Sequence, residues 1–130
     1  MKTIIMKTII NTANAPAPIG PYNQAILKNG MLFISGQIAI VPSTGELDMS
    51  NTHSEAHQVM KNLQSILTEA NMSFENVVKT TILLSDMSLF GVVNEIYGSY
   101  FEKDYPARET FAVKGLPKGV NIEISMIAMM

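Results

Sequence analysis

Between Asn51 and Ala70 the apolar residues Ala56, Val59, Met60, Leu63, Ile66, Leu67 and Ala70 recur at steps of three and four, whereas on either side the apolar residues fall in short, β-branched runs. Steps of three and four draw one stripe along an α-helix, while solid or alternating short runs belong to strands. A helix with a single apolar stripe, set among strands, buries that stripe against a sheet. Asn51, Thr52 and Ser54 stand ready as caps at its start. A second helix is predicted after Asp86-Met87-Ser88, with Leu89, Val92, Val93, Ile96, Tyr97 and Tyr100 on its inner side and Pro106 as its stop.

The strands are read from β-branched content and turn residues. Thr8-Ile9-Ile10 can start an edge strand, but Ala15-Pro16-Ala17-Pro18-Ile19-Gly20-Pro21 lacks three backbone donors and reads as an extended loop outside any ladder. Tyr22 to Leu27 and Met31 to Ser35 read as a hairpin about Lys28-Asn29-Gly30, ended or bulged at Gly36-Gln37. Val77 to Leu84 reads as a central strand, and Arg108 to Val113 with Val120 to Met129 as a last hairpin. The expected fold is a two-layer α+β domain, two helices on one face of a mostly antiparallel sheet. Ile122, Ile124, Met126 and Ala128 alternate with Asn121, Glu123, Ser125 and Ile127, so neither face of that strand is wholly polar. With only 15% charged residues, the uncovered sheet face calls for a second copy of the chain.

Length and composition set the outer limits. One hundred and thirty residues make a single domain, 1–130. The pentad Met-Lys-Thr-Ile-Ile occurs twice in succession, and residues 1–6 read as an extra start, with folding expected from about Met6. Lys7 breaks the N-terminal apolar run too early for a signal core or a membrane span, so a cytoplasmic protein with no membrane partner is expected. Nine basic against eleven acidic residues give a net charge of −2, a poor basis for gripping nucleic acid. With no cysteine, thiolate nucleophiles, disulfides and Cys-ligated metals are excluded.

Side-chain alternation puts Arg108, Thr110 and Ala112 on one strand face and Glu109, Phe111 and Val113 on the other. If the last hairpin turns at Leu116-Pro117, Thr110 lies opposite Glu123 and Arg108 opposite Ser125, all on one face. That convergence has two readings: an ion pair across strands, which is the commoner outcome, or an anion-binding fork beside a water-activating acid. His53 and His57 sit four apart on the first helix, but no third ligand accompanies them, so no metal is expected. Ser35 has no histidine and acid arranged for a triad. Gly20, Gly30 and Gly36 are too scattered to cradle a phosphate.

Six collinear blocks carry a family resemblance: Ala15 through Ala25, Ser35-Gly36-Gln37-Ile38, Val77 through Thr81, Val93 through Tyr97, Tyr105-Pro106-Ala107-Arg108, and Leu116 through Ile124. In register from about Asn11 to Ala128, they resemble the Rid family, also called YjgF-like, and in particular its RidA-type imine deaminases. The resemblance implies a chorismate-mutase-like α+β fold, a homotrimer with active sites between subunits, and hydrolysis of 2-imino acids such as 2-iminobutanoate and 2-iminopropanoate to 2-oxo acids and ammonia. It implies no metal or organic cofactor. Carried over by position, Arg108 matches the arginine that holds the substrate carboxylate, Glu123 the glutamate that orients water, and Tyr22 a tyrosine lining the cleft. Ser35, Gly36 and Asn94 match further pocket positions. Thr110 stands where many relatives have Cys, Glu109 and Phe111 replace a commoner Ser and Val and should point away from Arg108, and Ile19 with Tyr22 is expected to gauge the substrate side chain. A non-catalytic small-acid-binding or regulatory module is the alternative; RNA cleavage or translation inhibition, ascribed to some relatives, sits poorly with the net charge.

Overall fold

The computed structural model describes residues 6–130; of the expected extra start at residues 1–6, all but Met6 lies outside the described residues. Eight elements follow in chain order: β1 (Thr8–Ile10), β2 (Ala25–Lys28), β3 (Met31–Gln37), α1 (Thr52–Glu69), β4 (Val77–Leu84), α2 (Phe90–Gly98), β5 (Ala107–Ala112) and β6 (Ile122–Met129). One six-stranded sheet has the order β1-β2-β3-β6-β4-β5. The two helices lie on one face of this mixed sheet, giving the two-layer α+β domain that the apolar pattern predicts. No helix among the described residues is long and apolar enough to cross a membrane.

Local sequence explains the boundaries. Asn51 caps α1, its side chain accepting from the Ser54 backbone N–H at 2.7 Å. The stripe Ala56, Val59, Met60, Leu63, Ile66 and Leu67 is buried against the sheet. Asn29 and Gly30, both at positive φ, close the β2–β3 hairpin. That hairpin starts at Ala25 rather than Tyr22, because the Pro-rich loop runs on through Asn23. α2 ends at Gly98, well before the predicted stop at Pro106, and Val92 is exposed while Val93, Ile96 and Tyr97 turn inward.

The last hairpin does not form. β5 pairs in parallel with β4, and β6 lies on the other side of β4, antiparallel to both β4 and β3. The cause is local: β4, α2 and β5 are a strand–helix–strand unit, whose crossover returns the chain parallel to where it began. β6 then takes the centre of the sheet. It carries Ile122, Ile124, Met126 and Ala128 inward beneath the helices, each at most 2% exposed. Among the described residues no helix covers the opposite face, and Phe33, Phe111 and Met129 stand exposed there with Ile127 and Leu83 half-buried.

Candidate active site

Strand register decides which functional side chains can meet. Arg108 is level with Thr80, and Thr80 with Met126, both buried on the helix side. Glu123 is level with Leu83, and Leu83 with Phe111, on the uncovered side. Arg108 and Glu123 therefore occupy opposite faces of the same sheet with β4 between their strands. The expected convergence of Arg108, Thr110 and Glu123 within one chain is overturned, and so is the cross-strand ion pair between Arg108 and Glu123. Among the described residues the one ion pair is Lys79 with Glu109, at 3.0 Å. Glu109 and Phe111 do point away from Arg108, as alternation requires, and Glu109 also accepts from the Thr81 hydroxyl.

On the uncovered side, Glu123 faces a cavity of about 370 Å³ whose wall includes Pro16, Ile19, Tyr22, Ser35, Gly36 and Ile38. A bulge in β3 between Ile34 and Gln37 sets Gly36 directly under the Glu123 side chain. A Cβ at Gly36 would come within 2.8 Å of the Glu123 Cδ, so only glycine leaves the acid room. Burial holds the Glu123 carboxyl above its usual range, and no cation lines the cavity to pull it back.

The loop over this cavity is held by one side chain that the sequence reading missed. Gln24 is 2% exposed; its Oε1 accepts from Thr12 N–H at 2.8 Å, and its Nε2 donates to the carbonyls of Thr12, Ala15 and Pro16. A loop with three prolines has carbonyls to spare and few donors of its own, so a buried amide beside it is the signal that was available. Ser35 is similarly committed, donating its hydroxyl to the Asn23 carbonyl at 2.6 Å. It serves to anchor the loop to β3. Tyr22 folds back so that its hydroxyl accepts from the Ile19 N–H at 3.2 Å, and both side chains stay exposed at the cavity mouth.

The helix side has a different character. The Arg108 guanidinium lies 5.1 Å from the Tyr97 ring centroid and 5.7 Å from that of Phe90. Two aromatic faces hold the cation in place without neutralising it. Tyr97 is itself fixed by donating its hydroxyl to Thr80 Oγ1 at 2.9 Å, and burial pushes its pKa up. Asn94, on α2, and Thr110 line the same narrow cleft as Arg108. The Thr110 hydroxyl is buried with no hydrogen-bond partner, the one such side-chain atom among the described residues. Within one chain that cleft has no room for a water, and the open space of about 740 Å³ beside Arg108 and Asn94 is walled by Tyr97, Tyr105 and Pro106. The half-buried guanidinium and the amide there are donors suited to a small oxyanion, with the orphan hydroxyl behind them.

Sequence-predicted site residues thus sort into two groups: Ile19, Tyr22, Ser35, Gly36 and Glu123 in one place, Asn94, Arg108 and Thr110 in the other. The His pair on α1 belongs to neither. His57 shares a 2.8 Å hydrogen bond with the Tyr100 hydroxyl, and no three His, Asp or Glu side chains gather among the described residues.

The family model described as endoribonuclease L-PSP matches residues 12–130. The chain is 47% identical over 125 residues to the 2-iminobutanoate/2-iminopropanoate deaminase of Homo sapiens, covering 96% of this chain and 91% of that protein. It is 50% identical over 129 residues to the protein of the same name from Rattus norvegicus, covering 99% and 93%. A crystal structure of a conserved Rid family protein from Yersinia pestis superposes with a TM-score of 0.94 at 44% identity, covering 96% of this chain and all of that one.

Proposed function

Because the chain belongs to the endoribonuclease L-PSP family, whose members include the Rid proteins, we propose that it is a deaminase hydrolysing small 2-imino acids, 2-iminobutanoate and 2-iminopropanoate foremost, to 2-oxo acids and ammonia. The observation that carries the mechanism is the separation of Arg108 and Glu123 onto opposite sheet faces. Each lies in a concave site, and each lacks the charge partner the other would supply. A complete site then takes the Arg108 cleft of one subunit and the Glu123 cavity of the next. Closing a ring of three such contacts gives a homotrimer with three sites, and the exposed Phe33, Phe111 and Met129 supply apolar surface for its interfaces.

In that site the Arg108 fork holds the substrate carboxylate, with the Thr110 hydroxyl and Asn94 amide as further donors. The adjacent iminium carbon is already electrophilic and needs only an oriented water and a modest base. Glu123 takes one proton from the water as its oxygen bonds to that carbon. The same carboxyl then returns that proton to nitrogen and takes the remaining one from the new hydroxyl as the C–N bond breaks. The C=O forms, ammonia leaves, and the proton departs with it as ammonium, restoring the ionised acid. Ionised Glu123 is the active form, so turnover falls as pH drops through its raised pKa. Ile19 and Tyr22 at the cavity mouth meet the substrate side chain.

The test generates 2-iminobutanoate in place from threonine with a dehydratase and follows 2-oxobutanoate. The protein should accelerate its formation, Arg108→Ala should cut turnover by about 10²–10⁴-fold and abolish 2-oxobutanoate binding, and Glu123→Gln should slow turnover while sparing binding. No acceleration by a protein that still binds 2-oxobutanoate would make it a small-acid-binding module instead.

A further inference from the structure

Glu55 is 1% exposed, in the first turn of α1, and among the described residues no lysine, arginine or histidine pairs with it. A carboxylate so placed must be satisfied by hydrogen bonds. Its donors all come from one spot 66 or 67 residues further along the chain. Oε2 accepts from the backbone N–H of Asn121 at 2.9 Å and of Ile122 at 3.1 Å, and Oε1 accepts from the Asn121 side-chain amide at 3.0 Å. Asn121 is held from its other side by Ser85, whose N–H donates to the Asn121 carbonyl and whose hydroxyl donates to Asn121 Oδ1, both at 2.9 Å. Helix α1 and the end of β4 thus clamp the two residues that lead into β6. The next residue is Glu123.

We propose that Glu55 is a positioning residue: through Asn121 and Ile122 it sets the height at which β6 begins, and so holds the Glu123 carboxyl over Gly36. The proposal rests on the catalytic role given to Glu123 above. Among the described residues Glu123 makes no hydrogen bond to keep it there: the Gln24 amide and Ser35 hydroxyl on the cavity wall are spent on backbone carbonyls, as is the Gln37 Nε2, and no charge faces the acid. Its place is fixed by backbone alone. The clearance is small, because the acid passes so close to Gly36 that even a methyl would collide. A shift of β6 by a fraction of an ångström moves the acid off the water while leaving the Arg108 cleft, on another strand and the other face, as it was.

Three substitutions and one assay separate this from a role in folding alone. Glu55→Asp withdraws the carboxylate by one methylene and keeps its charge; kcat should fall about ten- to a hundredfold with KM and 2-oxobutanoate affinity within about twofold of wild type. The acid limb of kcat against pH should move toward the ordinary carboxylate value as Glu123 loses its cover. Glu55→Gln should restore both kcat and the pH limb to within about threefold of wild type. Its oxygen still accepts from the two backbone N–H groups, and the Asn121 amide can turn so that its oxygen meets the new NH₂ while its own NH₂ donates to the Ser85 hydroxyl. Asn121→Ala removes the side-chain link only, and should give a smaller kcat loss of the same kind. A folded Glu55→Asp protein with wild-type kcat and pH profile overturns the proposal, as does a loss confined to KM. If Glu55→Asp does not fold, a Glu55→Gln protein that folds but has lost kcat overturns it equally. Wild-type turnover in Glu123→Gln would instead refute the parent reading of the site.

Discussion

The Glu123 cavity and the Arg108 cleft are built on the two faces of one sheet, and they are unfinished in opposite ways. Around Glu123 the polar groups of the loop are committed: Gln24 makes four side-chain hydrogen bonds, Ser35 is spent on Asn23, and the acid has no hydrogen-bond partner among the described residues. Around Arg108 the donors are in surplus, with a guanidinium balanced only by aromatic faces and a buried hydroxyl bonded to nothing. A saturated wall with one free acid suits a water and a neutral or cationic group; a cleft rich in free donors suits an anion. A 2-imino acid presents both, an iminium at one end and a carboxylate at the other, a bond apart. Under the proposed function, the contrast is the reason that neither face alone would do the chemistry and that a second copy of the chain would bring the other half.

The comparison breaks most sharply on mixing. Arg108→Ala and Glu123→Gln are each expected to be nearly inactive, yet one keeps a sound Glu123 cavity and the other a sound Arg108 cleft. Co-expressed in equal amounts and assembled at random into trimers, about three-quarters of the particles contain both kinds of chain and each of these holds one intact site, so turnover should recover to about a quarter of wild type. Were both groups of a working site drawn from one chain, no mixture could contain an intact site and recovery would be nil. Activity of the mixture against that of each parent is the measurement.

Gly36→Ala acts on one half only. The new methyl must push the Glu123 carboxyl aside, and the prediction is a kcat lower by about ten- to a hundredfold with 2-oxobutanoate affinity near wild type. Calorimetric titration beside steady-state kinetics reads the two numbers separately. An equal fall in both would mean that the two halves are not as independent as their strands.

Short-range features of this chain were legible before any coordinates. The α1 stripe, the Asn51 cap, the Asn29-Gly30 turn and the span of β4 all depend on residues a few positions apart, and the structure has them where the pattern puts them. Long-range pairing was not. β5 and β6 are consecutive and look like a hairpin, and the residues that should have warned against it are those of the whole β4-α2-β5 unit, read together as a parallel crossover. The same limit governs the site. Alternation correctly put Arg108 and Thr110 on one face and Glu109 and Phe111 on the other, but where Glu123 falls depends on which strand lies between. Gln24 and Glu55 were overlooked because a buried polar residue is recognised by its partners, and theirs lie eight to twelve and 66 to 67 residues away.

The smallest expected effect concerns how closely the two halves approach. Glu123 titrates near 4.3 in an unfolded chain, and burial raises it in the folded one. Between those two values the native state binds more protons than the unfolded state, so stability declines as pH rises through that window, and above it the ionised acid is a constant cost. Glu123→Gln keeps the shape and removes the charge. It should therefore melt above wild type at pH 7, by roughly 1–3 °C, with the gap closing below about pH 4. Direct contact with a neighbour's Arg108 would reverse the sign, because the guanidinium would draw the acid's pKa down and Glu123→Gln would then strip a partner from a half-buried cation. Paired melting curves of the two proteins across pH thus report whether the acid and the arginine touch or are held apart, leaving between them the gap that a 2-imino acid would fill.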